Sequence, residues 1–165
     1  MTMTLKELLD DNRLRPYKTS AQEISDLAKV AERDLADASV KGLSTDRRFI
    51  IAYNAILQLS TIVLYASGYK TSGSGHHYTT FQCLKEILPA GYMQLMDYFD
   101  ACRSKRNISD YDRSGIISDQ EADEILAEAM KFKKIIINWL KNNYPKLNPA
   151  NNMKWHININ NRKKK

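Results

Sequence analysis

Apolar residues recur every three or four positions over most of the chain, which is the period of amphipathic α-helices. The pattern predicts five helices, at residues 20–40, 45–67, 76–88, 92–107 and 118–142. A capping box of Ser20 with Glu23 begins the first of them, and a second box of Ser118 with Glu121 begins the last. We therefore predict an all-α fold, an up-and-down bundle of four to five helices.

The helix at 45–67 is apolar nearly all round, which predicts that it lies at the centre of the bundle. Its polar residues form a narrow stripe at helical spacing: Asn54, Gln58, Thr61 and Tyr65. These residues interrupt the most apolar segment of the chain, so the pattern favours a buried helix of a soluble protein over a membrane span. We expect no membrane anchor, and the first eleven residues lack the continuous apolar segment of a signal peptide.

Two segments interrupt the helical pattern. Residues 68–75 contain three glycines among small polar residues, which predicts a flexible connector. Beyond Pro145 the chain is rich in Asn and basic residues and loses its apolar period. We predict one helical domain over residues 1–145 and a disordered basic tail over residues 146–165.

The formal charge of the chain is +6, and its location matters more than its size. The tail holds six basic residues and no acid: Lys146, Lys154, Arg162, Lys163, Lys164 and Lys165. Without those six, the remaining 19 basic residues face 19 acidic ones, so the helical body is formally neutral. The tail therefore predicts weak, salt-sensitive contacts with phosphates, or simply a solvated end.

The cysteine and histidine content predicts no metal site and no cofactor. Cys83 and Cys102 both fall inside helical patterns, which predicts reduced core thiols and favours the cytoplasm. The chain has no Cys-x-x-Cys pair and no His-Glu-x-x-His motif. His76 and His77 are neighbours, so on a helix they point about 100° apart and do not form a chelating pair.

Potential chemical groups concentrate where the helix at 92–107 ends. Arg106 shares a helical face with Phe99 and Cys102, so we expect its side chain to point inward. An inward guanidinium needs acceptors, and Asp110 and Tyr111 are the nearest in sequence.

We predict one hydrogen-bonded cluster at the edge of a cleft, formed by Arg106, Asn107, Asp110 and Tyr111, with Arg103 on its rim. The alternative is a structural ion pair, in which an arginine near a helix C-terminus interacts with acidic neighbours.

A helix that ends in Arg-x-x-Arg-Asn, followed by Tyr111 and Asp112, a turn and a last long helix, resembles the HEPN superfamily of prokaryotic helical domains. The resemblance covers about residues 20–140. It implies a homodimer in which the Arg-Asn segments of two protomers face a shared cleft. It also implies a metal-independent ribonuclease of toxin–antitoxin or anti-phage systems, with an antitoxin-like partner protein.

This chain departs from the family pattern at the catalytic base. The family places a histidine four to six residues after the arginine, and here Tyr111 stands at that position. A phenol with an ordinary pKa of about 10 is ionised only about one part in a thousand at pH 7, so it is a poor base. His76 or His77, entering from the start of another helix, is the replacement that the sequence offers.

Three functions remain open. The first is a module that binds RNA, a nucleotide or a partner protein through Arg103, Arg106, Asn107, Asp110 and Tyr111. The second is a ribonuclease toxin whose candidate catalytic residues are Arg106, Tyr111 and His77, and the third is a structural helical subunit. We expect the first, because the motif histidine is absent and the body has no excess positive charge with which to hold RNA.

Overall fold

The computed structural model describes residues 3–108 and 115–149. Six α-helices lie in these residues: α1 Leu5–Asp10, α2 Ala21–Ala38, α3 Thr45–Ala66, α4 His76–Ile87, α5 Met93–Asn107 and α6 Asp119–Asn143. Two short strands accompany them, β1 Leu14–Pro16 and β2 Tyr69–Thr71. The predicted all-α class is confirmed, and each of the five predicted helices is present within a few residues of its expected bounds.

The serine caps set where the long helices begin. The hydroxyl of Ser118 accepts a hydrogen bond from the Glu121 amide, and the Glu121 carboxylate accepts one in return, so the predicted capping box of α6 is confirmed. At α2 only half of the predicted box forms. The Ser20 hydroxyl accepts from the Glu23 amide, while the Glu23 carboxylate is held by the hydroxyl of Tyr17 instead.

Helix α3 is the centre of the bundle, as its apolar sequence predicts, and it contacts α2, α4, α5 and α6. Its largest core side chains are fully buried, among them Phe49, Tyr53 and Ile56. Within residues 3–108 and 115–149, α3 is the one helix long and apolar enough to cross a membrane. Because 61% of its most apolar stretch is buried inside the protein, it has the environment of a core helix in a soluble protein.

The strand pair was not predicted from the sequence. β1 and β2 pair antiparallel, with Leu14 opposite Thr71, and Ser72 then donates from its amide to the Arg13 carbonyl at 2.9 Å. The prediction of a flexible connector at 68–75 therefore missed β2. Helical periodicity cannot reveal such a pair, because its two strands are three residues each and lie far apart in the chain.

Helix α1 was also missed, since six residues are too few to show a helical period. It packs a small second core onto the bundle, in which Leu8, Leu14, Leu64 and Cys83 are buried together. The N-terminal segment is thus attached to α3 and α4 by apolar contacts and to β2 by backbone hydrogen bonds.

Both cysteines are free and buried, which confirms the prediction of core thiols. Burial raises the pKa of Cys83 to about 12 and that of Cys102 to about 11, so neither is a reactive thiolate.

The C-terminal part of the body extends past the predicted domain boundary. Residues Pro145–Leu147 form a short 3-10 turn, Leu147 packs against the main core, and Asn148 is buried. Residues 150–165 lie outside the described residues, so the disorder and the phosphate contacts of the basic tail stay predictions.

Candidate functional site

The candidate site lies where α4 begins and α5 ends. These helices are joined by a short turn at Ala90–Tyr92 and pack against each other, so the first turn of α4 lies beside the last turns of α5. We call the group formed there the basic–aromatic cluster, and it consists of Tyr53, His77, Tyr78, Arg103 and Arg106.

A tyrosine–histidine pair forms the inner wall of the cluster. The hydroxyl of Tyr53 lies 3.0 Å from Nδ1 of His77, and the two ring centroids are 5.9 Å apart. Tyr53 is fully buried in α3, so this contact satisfies its hydroxyl and holds the imidazole in place. When Nδ1 donates to the hydroxyl, Nε2 is the basic nitrogen of a neutral imidazole; when Nδ1 accepts, Nε2 carries the proton.

Arg106 points inward, as predicted from its helical face. Its Cζ lies 5.8 Å from the centroid of the Tyr53 ring, and its Nη1 donates to the Asn107 side-chain oxygen at 3.5 Å. The predicted partners Asp110 and Tyr111 lie outside the described residues. The contact with Asn107 is therefore the one part of the predicted hydrogen-bonded cluster that the described residues contain.

Arg103 lies one turn earlier on α5, on the outer side of the cluster. Its Nε donates to Oδ1 of Asp100 at 2.8 Å, and its Cζ lies 5.7 Å from the centroid of the Tyr78 ring. Three-quarters of the side chains of Arg103 and Asp100 is buried, since they are 25% and 27% exposed. The guanidiniums of Arg103 and Arg106 thus lie in one cluster, and the Asp100 carboxylate pairs with Arg103.

The surroundings of His77 keep it neutral. Burial lowers its pKa, and the positive charges of Arg106 and Arg103 lower it further, with a smaller contribution from His76. Burial raises the pKa of Tyr53 even though both arginines act in the opposite direction. At pH 7 the cluster thus combines an uncharged imidazole, an un-ionised phenol and two permanent cations.

The start of α4 adds positive electrostatic potential to the same place. Gly75 caps the helix with a φ of 72°, a left-handed conformation that suits glycine, and it offers no side chain to the first amides. The first turn of α4 contains no acid, whereas α2, α3 and α6 each have a serine cap and an acidic residue there. The N-terminal end of the α4 dipole therefore lies beside the two guanidiniums without an acidic side chain from its own first turn.

The structure separates the two histidines that the sequence left as alternatives. His77 lies in the cluster, while Nδ1 of His76 lies 2.9 Å from the Thr71 hydroxyl, at the end of β2. Tyr53 and Tyr78 were missed as site residues by sequence reasoning. Tyr53 occurs in an apolar helix, where a tyrosine usually belongs to the core. Its place in the candidate site is evident only from its contact with His77 of α4.

Three comparisons were made, with protein-family models, with curated proteins and with solved structures, and none of them found a match. The HEPN resemblance therefore depends on the Arg-x-x-Arg-Asn segment and the order of helices alone. In residues 3–108 and 115–149, no three His, Cys, Asp or Glu side chains are grouped so that they could hold a metal ion.

Proposed function

We propose that the basic–aromatic cluster binds a phosphate group of RNA or of a nucleotide. The observation that carries the proposal is the convergence of Arg103, Arg106 and the start of α4 on a half-buried imidazole that is kept neutral. Guanidiniums and helix N-termini are the groups that proteins use most often to hold phosphates.

Arg103 can bind a phosphate while it keeps its present contact. A guanidinium carries five N–H bonds, and the contact with Asp100 uses the one on Nε. The two terminal nitrogens have the fork geometry that matches two phosphate oxygens. Asp100 holds the side chain in place and opposes the phosphate charge at the same time.

The number of cations limits how strong this binding is. Two guanidiniums, one of them paired with Asp100, can contact one or two phosphates, which predicts weak binding with a shallow dependence on salt. The homodimer that the HEPN resemblance implies is part of the proposal, because a second copy would double the number of cations in a shared cleft.

Binding of a fluorescent single-stranded RNA to the full chain tests the proposal. We expect Arg106→Gln and Arg103→Gln to weaken binding about tenfold each, the effect of losing one charge-assisted hydrogen bond. Arg33→Gln is the matched control, because Arg33 is an arginine on α2 that also pairs with a neighbouring aspartate. Equal affinities for all three variants and the parent chain would refute a phosphate site at the cluster.

Cleavage of the bound RNA is a second candidate function, and the position of His77 in the same cluster as Arg106 favours it. With Nδ1–H donating to Tyr53, Nε2 can take the proton of a ribose 2′-hydroxyl. The 2′-oxygen then attacks phosphorus and the bond to the 5′-oxygen breaks, giving a 2′,3′-cyclic phosphate. The 5′-oxygen leaves with a proton from water, and the hydroxide so formed takes the proton from His77. The arginines stabilise the charge on the phosphorane.

Incubation of RNA with the protein and a chelator separates binding from cleavage. Under the cleavage hypothesis, His77→Asn removes cleavage and retains binding, while an RNA with a 2′-deoxy nucleotide at the cut position is bound intact. Binding without cleavage would support the binding function and contradict the ribonuclease function. If Arg106→Gln changes neither and only lowers the melting temperature, the cluster is structural.

The cellular setting stays a prediction. A toxin–antitoxin or anti-phage system, an antitoxin-like partner protein and a cytoplasmic location are what the resemblance and the cysteines imply. Co-purification with the product of an adjacent gene is the direct test of the partner.

A further inference from the structure

Tyr78 is the exposed aromatic residue of the basic–aromatic cluster. Its side chain is 38% exposed, although it lies in the first turn of α4 between His77 and the buried Thr79. Among the described residues at this end of the bundle, the other aromatic rings are more buried, and Tyr53 and Phe81 are fully so. The exposed ring of Tyr78 is therefore available to a ligand beside Arg103.

The ring of Tyr78 is already placed against a cation. The guanidinium carbon of Arg103 lies 5.7 Å from its centroid, within the range of a cation–π contact. A phosphate bound by the terminal nitrogens of Arg103 would therefore lie close to the edge of this ring. In a nucleotide only the sugar separates the phosphate from its base, so the base of that nucleotide can reach the exposed part of the ring.

We propose that Tyr78 is the stacking platform for one nucleobase of a single-stranded RNA whose phosphate lies on Arg103 and Arg106. The inference rests on the proposed phosphate-binding function and adds the class of substrate. A base can stack on a tyrosine only when it is not already stacked within a duplex, so the platform selects single strands over double helices. It reads no sequence, because every base has a flat π face.

The small number of cations agrees with this class of ligand. A duplex-binding surface needs many phosphate contacts, whereas this cluster offers two guanidiniums. Base stacking supplies affinity that does not depend on salt-sensitive ion pairs. A small site with one or two phosphates and one base suits a short unpaired stretch of RNA.

The test measures binding of the full chain to two labelled RNA oligonucleotides that differ only in an abasic stretch. We expect Tyr78→Leu to bind the ordinary oligonucleotide about tenfold more weakly, the effect of losing one stacked base. Tyr78→Phe keeps the ring and should bind like the parent chain. The abasic oligonucleotide should bind the parent chain and Tyr78→Leu equally, and the same sequence as a duplex should compete about tenfold less well than the single strand.

Several results would overturn the inference. Tyr78 is not a base platform if Tyr78→Leu binds the ordinary oligonucleotide as tightly as the parent chain does. The same conclusion follows if Tyr78→Leu weakens binding of the abasic and the ordinary oligonucleotide equally. In that case the effects of Arg103→Gln and Arg106→Gln show whether the phosphate site survives. If the parent chain binds neither oligonucleotide, the phosphate-binding function and the stacking inference both fail. Melting curves of the three chains verify that the exposed position tolerates the changes.

Discussion

Two groups in this molecule place cations against tyrosine rings, and they differ in what surrounds the contact. The first is the basic–aromatic cluster. The second, which we call the strand-pair cluster, consists of Tyr17, Glu23, Tyr65 and Lys70 near the β1–β2 pair. There Nζ of Lys70 lies 4.9 Å from the Tyr17 centroid and 5.7 Å from that of Tyr65.

The strand-pair cluster is bonded internally. The Tyr17 and Tyr65 rings are 4.7 Å apart, and the Tyr17 hydroxyl donates to a Glu23 carboxylate oxygen at 2.7 Å. Glu23 raises the pKa of Tyr17, so the phenol stays a donor. The hydroxyl of Tyr17 is thus hydrogen-bonded within the group. Such a cluster stabilises the attachment of the N-terminal segment.

The basic–aromatic cluster differs in two respects. It contains a histidine that is kept neutral and a tyrosine ring that is exposed to water. A cation over an aromatic ring is therefore not enough to indicate a binding site in this protein. The neutral histidine and the exposed ring distinguish the cluster that we propose as functional.

The largest expected effect is on the rate of RNA cleavage, and it should differ between the two neighbouring histidines. If the protein cleaves RNA, His77→Asn should lower the rate by about a hundredfold or more, the usual contribution of a general base. His76→Asn should leave the rate nearly unchanged, because His76 contacts Thr71 outside the cluster. Rates of cleavage of a labelled RNA in the presence of a chelator measure both. Equal losses for the two variants would contradict the assignment of His77.

The second effect compares the removal of one cation from each of the two clusters. Arg106→Gln should weaken RNA binding about tenfold, whereas Lys70→Gln should leave RNA binding unchanged. Fluorescence anisotropy at two salt concentrations gives the affinities, and thermal melting shows whether both variants are folded. If Lys70→Gln weakens binding as much as Arg106→Gln does, the contrast between the two clusters is wrong.

These contrasts show where sequence reasoning succeeded and where it could not. The inward direction of Arg106 follows from its spacing to Phe99 and Cys102, and the structure confirms it. The approach of His77 to Arg106 depends on how α4 packs against α5, a tertiary contact that periodicity does not encode. The sequence could name His77 as a candidate, but it could not choose His77 over His76. Asp110 and Tyr111, which the sequence offered as partners of Arg106, lie outside the described residues.

A third effect removes one carboxylate from each cluster. Glu23→Gln weakens the hydrogen bond from Tyr17 and should lower the midpoint of urea unfolding slightly. Asp100→Asn should instead strengthen RNA binding a few-fold, because it removes the negative charge that opposes the phosphate at Arg103. Weaker RNA binding by Asp100→Asn would mean that the carboxylate is needed to hold Arg103 in place more than it repels the ligand.

The smallest effect is the dependence of stability on pH. Burial, then Arg106, Arg103 and His76, hold the pKa of His77 below the value of about 6.5 that it has in the unfolded chain. The unfolded chain therefore takes up a proton at a higher pH than the folded protein does. The stability that neutral His77 provides is fully present above about pH 6.5 and is lost as the pH falls through the pKa of the folded state.

Urea unfolding between pH 5 and 7.5 measures this dependence as the difference between the parent chain and His77→Gln. As the pH falls, the free energy of unfolding of the parent chain should decrease relative to that of His77→Gln. His76→Gln serves as the control. A phosphate bound at the cluster should raise the pKa of His77, because it opposes the charges of the two arginines. Added inorganic phosphate or RNA should therefore reduce the loss of stability at low pH in the parent chain and not in His77→Gln. A pH profile that phosphate and RNA leave unchanged would indicate that no anion binds beside His77.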